Sequence, residues 1–119
     1  MSPIGNKKKD NALQRANAFK SVKPSFVVAM HPTYVCGGIL NLPCGFAKKH
    51  LTERPNHVSL QDSNGKIWSV NIHFSNQASF RSGWTDFVRG NNFEEGDACA
   101  FELIKKSKFL FDVHFFRTT

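Results

Sequence analysis

A chain of 119 residues, 40% hydrophobic and 13% aromatic, has the material for one domain around one core. Its net charge of +7 favours a polyanionic partner, and no apolar run reaches the roughly 18 to 20 residues of a membrane span. Lys7-Lys8-Lys9 leads into a polar stretch, which argues against a secretory signal. An odd set of three cysteines, Cys36, Cys44 and Cys99, points to a reducing, intracellular setting.

The charge is uneven along the chain: net +5 over residues 1–24, +3 over 25–89 and −1 over 90–119. A basic N-terminal tail suits attachment to nucleic acid, or simply keeps the chain in solution. Residues 1–10 read as disordered. Ala12, Ala16 and Phe19 are spaced for a short amphipathic helix within 11–20, too short to persist without docking, and Pro24 ends it. Ser25 to His31 is an apolar run, long enough for a strand buried on both faces. Pro32 stops it, and Thr33 to Gly38, with two adjoining glycines, reads as a loop. Ile39 to Leu42 predicts a short strand. Pro43 then opens a short helix to Leu51, and Thr52 to Asn56 is a linker.

Alternation resumes in His57 to Gln61. Asn64-Gly65 signals a hairpin into a long strand, Lys66 to Phe74. Along that strand Trp68, Val70, Ile72 and Phe74 face one way, and Ile67, Ser69, Asn71 and His73 the other. Ser75 to Ser79 is a polar loop. Arg81-Ser82-Gly83 leads into a short helix, Trp84 to Arg89, closed by Gly90 and Asn91-Asn92. Glu94 to Asp97 reads as a solvated acidic turn, and Ala98 to Leu103 and Phe109 to Phe116 form a final hairpin. About seven strands and two short core helices predict a mainly β fold, a sandwich or barrel over residues 24–119, preceded by a basic tail with a short helix over 1–23. Two of the three cysteines fall in apolar surroundings that predict buried thiols.

Little in the sequence supports catalysis. The histidines and cysteines show none of the C-x-x-C, H-x-x-x-H or H-E-x-x-H spacings, so no metal site is expected. Cys36 has no marked base, and no phosphate-cradling glycine loop is present, so no cofactor and no enzymatic activity are expected. Duplex DNA is the better-supported partner. The loops at Pro32–Gly38 and Ser75–Ser79 flank the polar side of the long strand. Ser75, Asn76, Gln77 and Ser79 offer small donors and acceptors; amides pair with adenine edges, and hydroxyls suit phosphates. Arg81, Lys48, Lys49 and Lys66 could supply positive charge, unless they are merely scattered surface cations around a polar turn.

Four stretches carry a family resemblance. They are Leu42-Pro43-Cys44-Gly45-Phe46-Ala47, Arg81-Ser82-Gly83-Trp84, Phe87-Val88-Arg89-Gly90-Asn91-Asn92 and Glu95-Gly96-Asp97-Ala98-Cys99-Ala100-Phe101-Glu102-Leu103. In this order and spacing the chain resembles the plant B3 DNA-binding domain, of the reproductive-meristem and vernalization-protein class, over about residues 24–117. The resemblance implies a seven-stranded open barrel with two short helices, working as a nuclear transcription-factor module. It implies two arms entering the major groove: His31 to Gly38, with His31, Thr33, Tyr34 and Cys36, and Phe74 to Phe80, with His73 beside it. Better-known members carry basic and amide residues in the first arm, and this chain has none there. That departure predicts low sequence specificity. The rival readings are a protein-interaction or dimerisation module that has lost DNA contact, alone or with other regulators, and an RNA-binding barrel. The RNA reading wants exposed aromatics, and Tyr34 is the only loop aromatic with a polar handle.

Overall fold

The structure, a computed structural model, describes residues 12–118, so the disorder expected over residues 1–10 lies outside the described residues. Seven strands form one curled sheet in the order β1-β6-β7-β3-β4-β5-β2. They are β1 Ser25–Ala29, β2 Leu40–Asn41, β3 His57–Gln61, β4 Ile67–His73, β5 Ser79–Phe80, β6 Ala98–Lys105 and β7 Leu110–Phe116. The helices are α1 over residues 12–17, α2 Pro32–Cys36, α3 Cys44–His50 and α4 Trp84–Gly90. Because β1 and β2 end the order and pair inward, with β6 and β5, the barrel stays open.

Pairing fixes the strand directions. All neighbours are antiparallel except β3 and β7, which are parallel. Hence β1, β3, β5 and β7 finish at one end of the barrel, here the upper end, and β2, β4 and β6 finish at the lower end. The segment after β1, the β3–β4 hairpin and α4 belong to the upper end. The loop after β4, α3 and the 3-10 turn Lys106–Lys108 belong to the lower end.

The core follows from alternation. Val58 and Leu60 of β3, Val70 and Ile72 of β4, and Phe101, Leu103, Phe111 and Val113 of the last hairpin all point inward. Trp84, Phe80, Phe87, Phe101 and Phe111 are fully buried. Phe26 stacks on Phe101 at 4.8 Å between ring centroids, and Trp84 on Phe87 at 5.6 Å. Such aromatic pairs add about 0.5–1.5 kcal/mol each beyond the area they bury.

Several expectations change. The loop read at Thr33–Gly38 begins as helix α2. Pro32, with its φ already helical, starts it, and Gly37 and Gly38 stop it after one turn. β1 is partly exposed on one face rather than buried on both, because the sheet is a single curled layer in which Phe26 and Val28 face the core and Ser25, Val27 and Ala29 face out. Only Cys99 is buried, and burial pushes its thiol up; Cys36 and Cys44 sit on α2 and α3 outside the barrel.

The acidic turn is only partly solvated. Glu94 and Glu95 are exposed, but Asp97 is buried and accepts from the Glu94 and Thr118 N–H groups and from Arg117 Nη1 at 3.2 Å. Arg117 also caps the Asn91 and Asn92 carbonyls and stacks on Phe93 and Phe115.

Residues 12–23, read as part of a tail, lie against β6 and β7. Ala12 and Ala16 are buried, the Phe19 ring packs at a tilt on His114 at 4.4 Å between centroids, Ser21 Oγ donates to Glu102, and Lys23 Nζ donates to the Ile104 carbonyl.

Candidate nucleic-acid interface

Two segments lie at opposite ends of the side of the barrel where β4, β5 and β2 lie together. The first arm spans β1 to β2 at the upper end, and the second spans β4 to β5 at the lower end. Between them runs the outward face of β4 and its neighbours. Asn56, Asn71, Ile72, His73 and Arg81 line one shallow groove there.

The first arm is held by the core. Trp84 Nε1 donates to the Tyr34 carbonyl at 2.8 Å, so α4 carries α2. Tyr34 is half-buried and packs against His31 at 5.5 Å between rings. His31, Thr33 and Cys36 are exposed, so the arm presents small neutral or weakly basic groups.

The second arm is tied to β2 and its exit. Gln77 Nε2 donates to the Leu42 carbonyl at 2.8 Å, and the Leu42 N–H donates to the Ala78 carbonyl at 2.9 Å. Ser75 Oγ bonds the Gln77 carbonyl at 3.2 Å and tightens the loop. Ser75, Asn76 and Gln77 are exposed, and among the described residues no hydrogen bond engages the Asn76 amide. Ser79 belongs to the scaffold instead: it is buried, and its hydroxyl accepts from Arg81 Nε at 2.9 Å. That bond holds the exposed Arg81 beside Asn71, whose carbonyl accepts the Arg81 N–H.

The cations divide by place. Lys48 lines a cavity between α3 and the second arm, together with Arg54, Ser75, Asn76 and Gln77. Lys49 is on the same exposed last turn of α3, beside His50. Lys66 is elsewhere. It caps Trp68 at 4.0 Å on the β3–β4 hairpin, and the seven residues of β4, about 20 Å of strand, separate it from the second arm. The structure therefore does not bring Lys66 together with Lys48, Lys49 and Arg81; it lies at the upper end, where the first arm also lies.

Sequence reasoning missed Arg54, Asn56 and Asn71. Arg54 sits in the linker after α3 with a left-handed φ of 52°, and its guanidinium lies over Phe74 at 5.2 Å. Non-glycine residues rarely hold that conformation, at a cost of about 1–2 kcal/mol. The available signal was an arginine before Pro55, which bars the helical conformation at that point.

Among the described residues, one group has metal-ligand proximity: Glu102, Asp112 and His114, on the outer side of β6 and β7. These atoms already serve one another. His114 Nε2 lies 3.0 Å from Glu102 Oε1 and 3.7 Å from Asp112 Oδ2. The Ser21 hydroxyl and His114 together hold the Glu102 carboxyl below its ordinary value. The group anchors residues 12–23. No helix among the described residues is long and apolar enough to cross a membrane.

Comparison with known proteins agrees with this architecture. Residues 26–119 match the family model described as the B3 DNA binding domain. B3 domain-containing protein Os11g0197600 of Oryza sativa subsp. japonica is 40% identical, across 97% of this chain and 29% of its own length. The B3 domain-containing transcription factor VRN1 of Arabidopsis thaliana is 35% identical, across 92% of this chain and 32% of its own. The chain thus spans less than a third of these relatives. Among solved structures, the hypothetical Arabidopsis thaliana protein At1g16640.1 superposes with a TM-score of 0.66 at 23% identity, covering 82% of this chain and 93% of that one. The Arabidopsis FUS3–DNA complex gives 0.61 at 17%, covering 79% and 97%. These two are likenesses of fold. The sequence matches go further: this chain belongs to the B3 DNA-binding domain family.

Proposed function

We propose that this chain binds double-stranded DNA as a module of a plant transcription or chromatin regulator in the nucleus. It acts by binding alone, without catalysis. The observation that carries the reading is the pair of arms at opposite ends of one side of the barrel, with a shallow groove lined by Asn71, His73 and Arg81 on that side and Lys48 and Arg54 exposed on the cavity beside the second arm. The fold likeness to a protein solved with DNA supports it.

The first arm, His31 to Gly38, enters the major groove with little to read there. It has no Arg, Lys, Asn or Gln, so bidentate pairing with a base edge is unavailable. The second arm presents Asn76 and Gln77, and Arg81, Lys48 and Arg54 neutralise phosphates. Affinity for random duplexes is then within about a hundredfold of the best site, below the usual specificity ratio.

Gel shifts at two salt concentrations with duplex DNA, single strands and RNA test the partner. Preference for duplex, weakening with salt, is expected. Equal or better binding to single strands or RNA contradicts the reading, and no binding at all leaves the protein-interaction module in its place. Selection from random oligonucleotides tests specificity; recovery of one long invariant motif contradicts the low-specificity claim alone.

A further inference from the structure

The lower end of the barrel gathers more positive charge than the arms use. Lys105, Lys106 and Lys108 are exposed on the turn joining β6 to β7. Lys48, Lys49 and His50 form the last turn of α3, which covers the same end. Packing brings the two elements together. Phe46 of α3 lies one turn before His50, with ring centroids 4.9 Å apart, and meets Phe111, next to the start of β7, at 6.0 Å. His50 registers the neighbourhood: burial first, then the charges of Lys49 and Lys106, hold its imidazole below its ordinary value.

Among the described residues none of Lys48, Lys49, Lys105, Lys106 and Lys108 has a carboxylate partner. Uncompensated like charges held this close repel one another, and a row of phosphates relieves that repulsion while releasing condensed counterions. The cluster is also continuous with the second arm, because Lys48 lines the cavity that Ser75, Asn76 and Gln77 share with Arg54.

We propose that the α3 end and the β6–β7 turn form a second DNA-backbone contact, with Lys49, Lys105, Lys106 and Lys108 holding phosphates that flank the segment gripped by the arms. This rests on the DNA-binding reading and extends its footprint past the second arm. The contact reads no bases, since lysines at a turn meet phosphates as point charges.

Duplex length separates this surface from the arms. The seven residues of β4, about 20 Å of strand, separate the two arms, so a duplex of about 10 base pairs, at about 3.4 Å each, spans the arms and little more. The experiment titrates the whole chain and the triple variant Lys105→Ser/Lys106→Ser/Lys108→Ser against mixed-sequence duplexes of about 10 and 30 base pairs. Circular dichroism confirms that each variant is folded; Lys105→Ser/Lys106→Ser repeats the test should the triple variant unfold.

On the long duplex the triple variant is expected to lose about a hundredfold in affinity near physiological salt, with a salt slope shallower by about 2 to 3. Its affinity for the short duplex should stay within about threefold. Equal losses on both lengths, or no loss on the long one, overturn the second contact. Failure of the wild-type chain to bind either duplex overturns the DNA-binding reading itself.

Discussion

At the scale of single residues, the stretches that carry the family resemblance do scaffold work. Gly83 turns the chain from β5 into α4 with a φ of 95°, and a Cβ there would lie 2.4 Å from the Ser69 carbonyl oxygen. Gly90 lies under the Trp68 indole, where a Cβ would meet the ring at 2.3 Å. Gly83→Ala therefore combines an unfavourable backbone conformation with a clash against backbone. It is expected to lower the thermal midpoint by about 8 °C or more, and a shift under about 2 °C contradicts the turn geometry. Trp84→Ala removes a fully buried indole and its bond to Tyr34, at about 3–5 kcal/mol by chemical denaturation. A midpoint near that of wild type would take Trp84 out of the core.

Asp62 supplies a pH-dependent term. Burial works against its carboxylate, but the Trp68 indole and the Asn64 and Lys66 N–H groups outweigh burial and hold the group below its ordinary value. A depressed folded value means the stabilisation is complete above the unfolded pKa and is lost as pH falls through the folded one. Asp62→Asn is thus expected to be less stable than wild type at neutral pH, with the gap closing only as pH falls below the ordinary carboxylate range in denaturant titrations. A gap independent of pH contradicts the hairpin geometry.

At the scale of elements, period and turn chemistry made most of the barrel legible. Alternation marked β3, β4, β6 and β7, and Asn64-Gly65 marked the hairpin between two of them. The missed pieces are those made by distant partners. β5 is two residues long and exists because Ser79 and Phe80 pair with Asn41 and Leu40 on one side and with His73 and Ile72 on the other. No local pattern encodes that. α2 was hidden because two glycines dominate its stretch, although Pro32 is a fair helix start.

The same long-range pairing decides which site residues are presented. It takes Ser79 inward and sets Arg81 outward beside Asn71. Arg81→Ala is expected to weaken binding to all duplex sequences about fivefold near physiological salt, as loss of one phosphate contact does, with the fold retained. His31→Ala and Thr33→Ala should leave the ranking of duplex sequences unchanged in a selection. A changed ranking would give the first arm the reading role withheld from it here.

At the scale of the whole molecule, the charge is organised by barrel end, and linear order hides this. Residues 90–119 sum to −1, yet the fold sends Glu94 and Glu95 to the upper end and Lys105, Lys106 and Lys108 to the lower. There they join Lys48, Lys49 and Arg54. A tally by segment averages the two sets away, and only strand direction separates them. The domain boundary is also a matter of packing: residues 12–23 are docked on β6 and β7, so a deletion confined to residues 1–11 is the one that probes the lysine run at 7–9. It is expected to weaken all duplexes alike and to make the salt slope shallower.

On the proposed reading, duplex DNA lies across the side of the barrel between the arms and is held by its phosphates. The most direct test is the salt dependence of binding to a pool of random duplexes, followed by fluorescence anisotropy, for wild type and for Lys48→Ser/Arg54→Ser/Arg81→Ser. Wild type is expected to bind the pool, and the variant to bind it about a hundredfold more weakly near physiological salt, with a slope shallower by about 2 to 3. A folded variant with wild-type affinity and slope would contradict the reading.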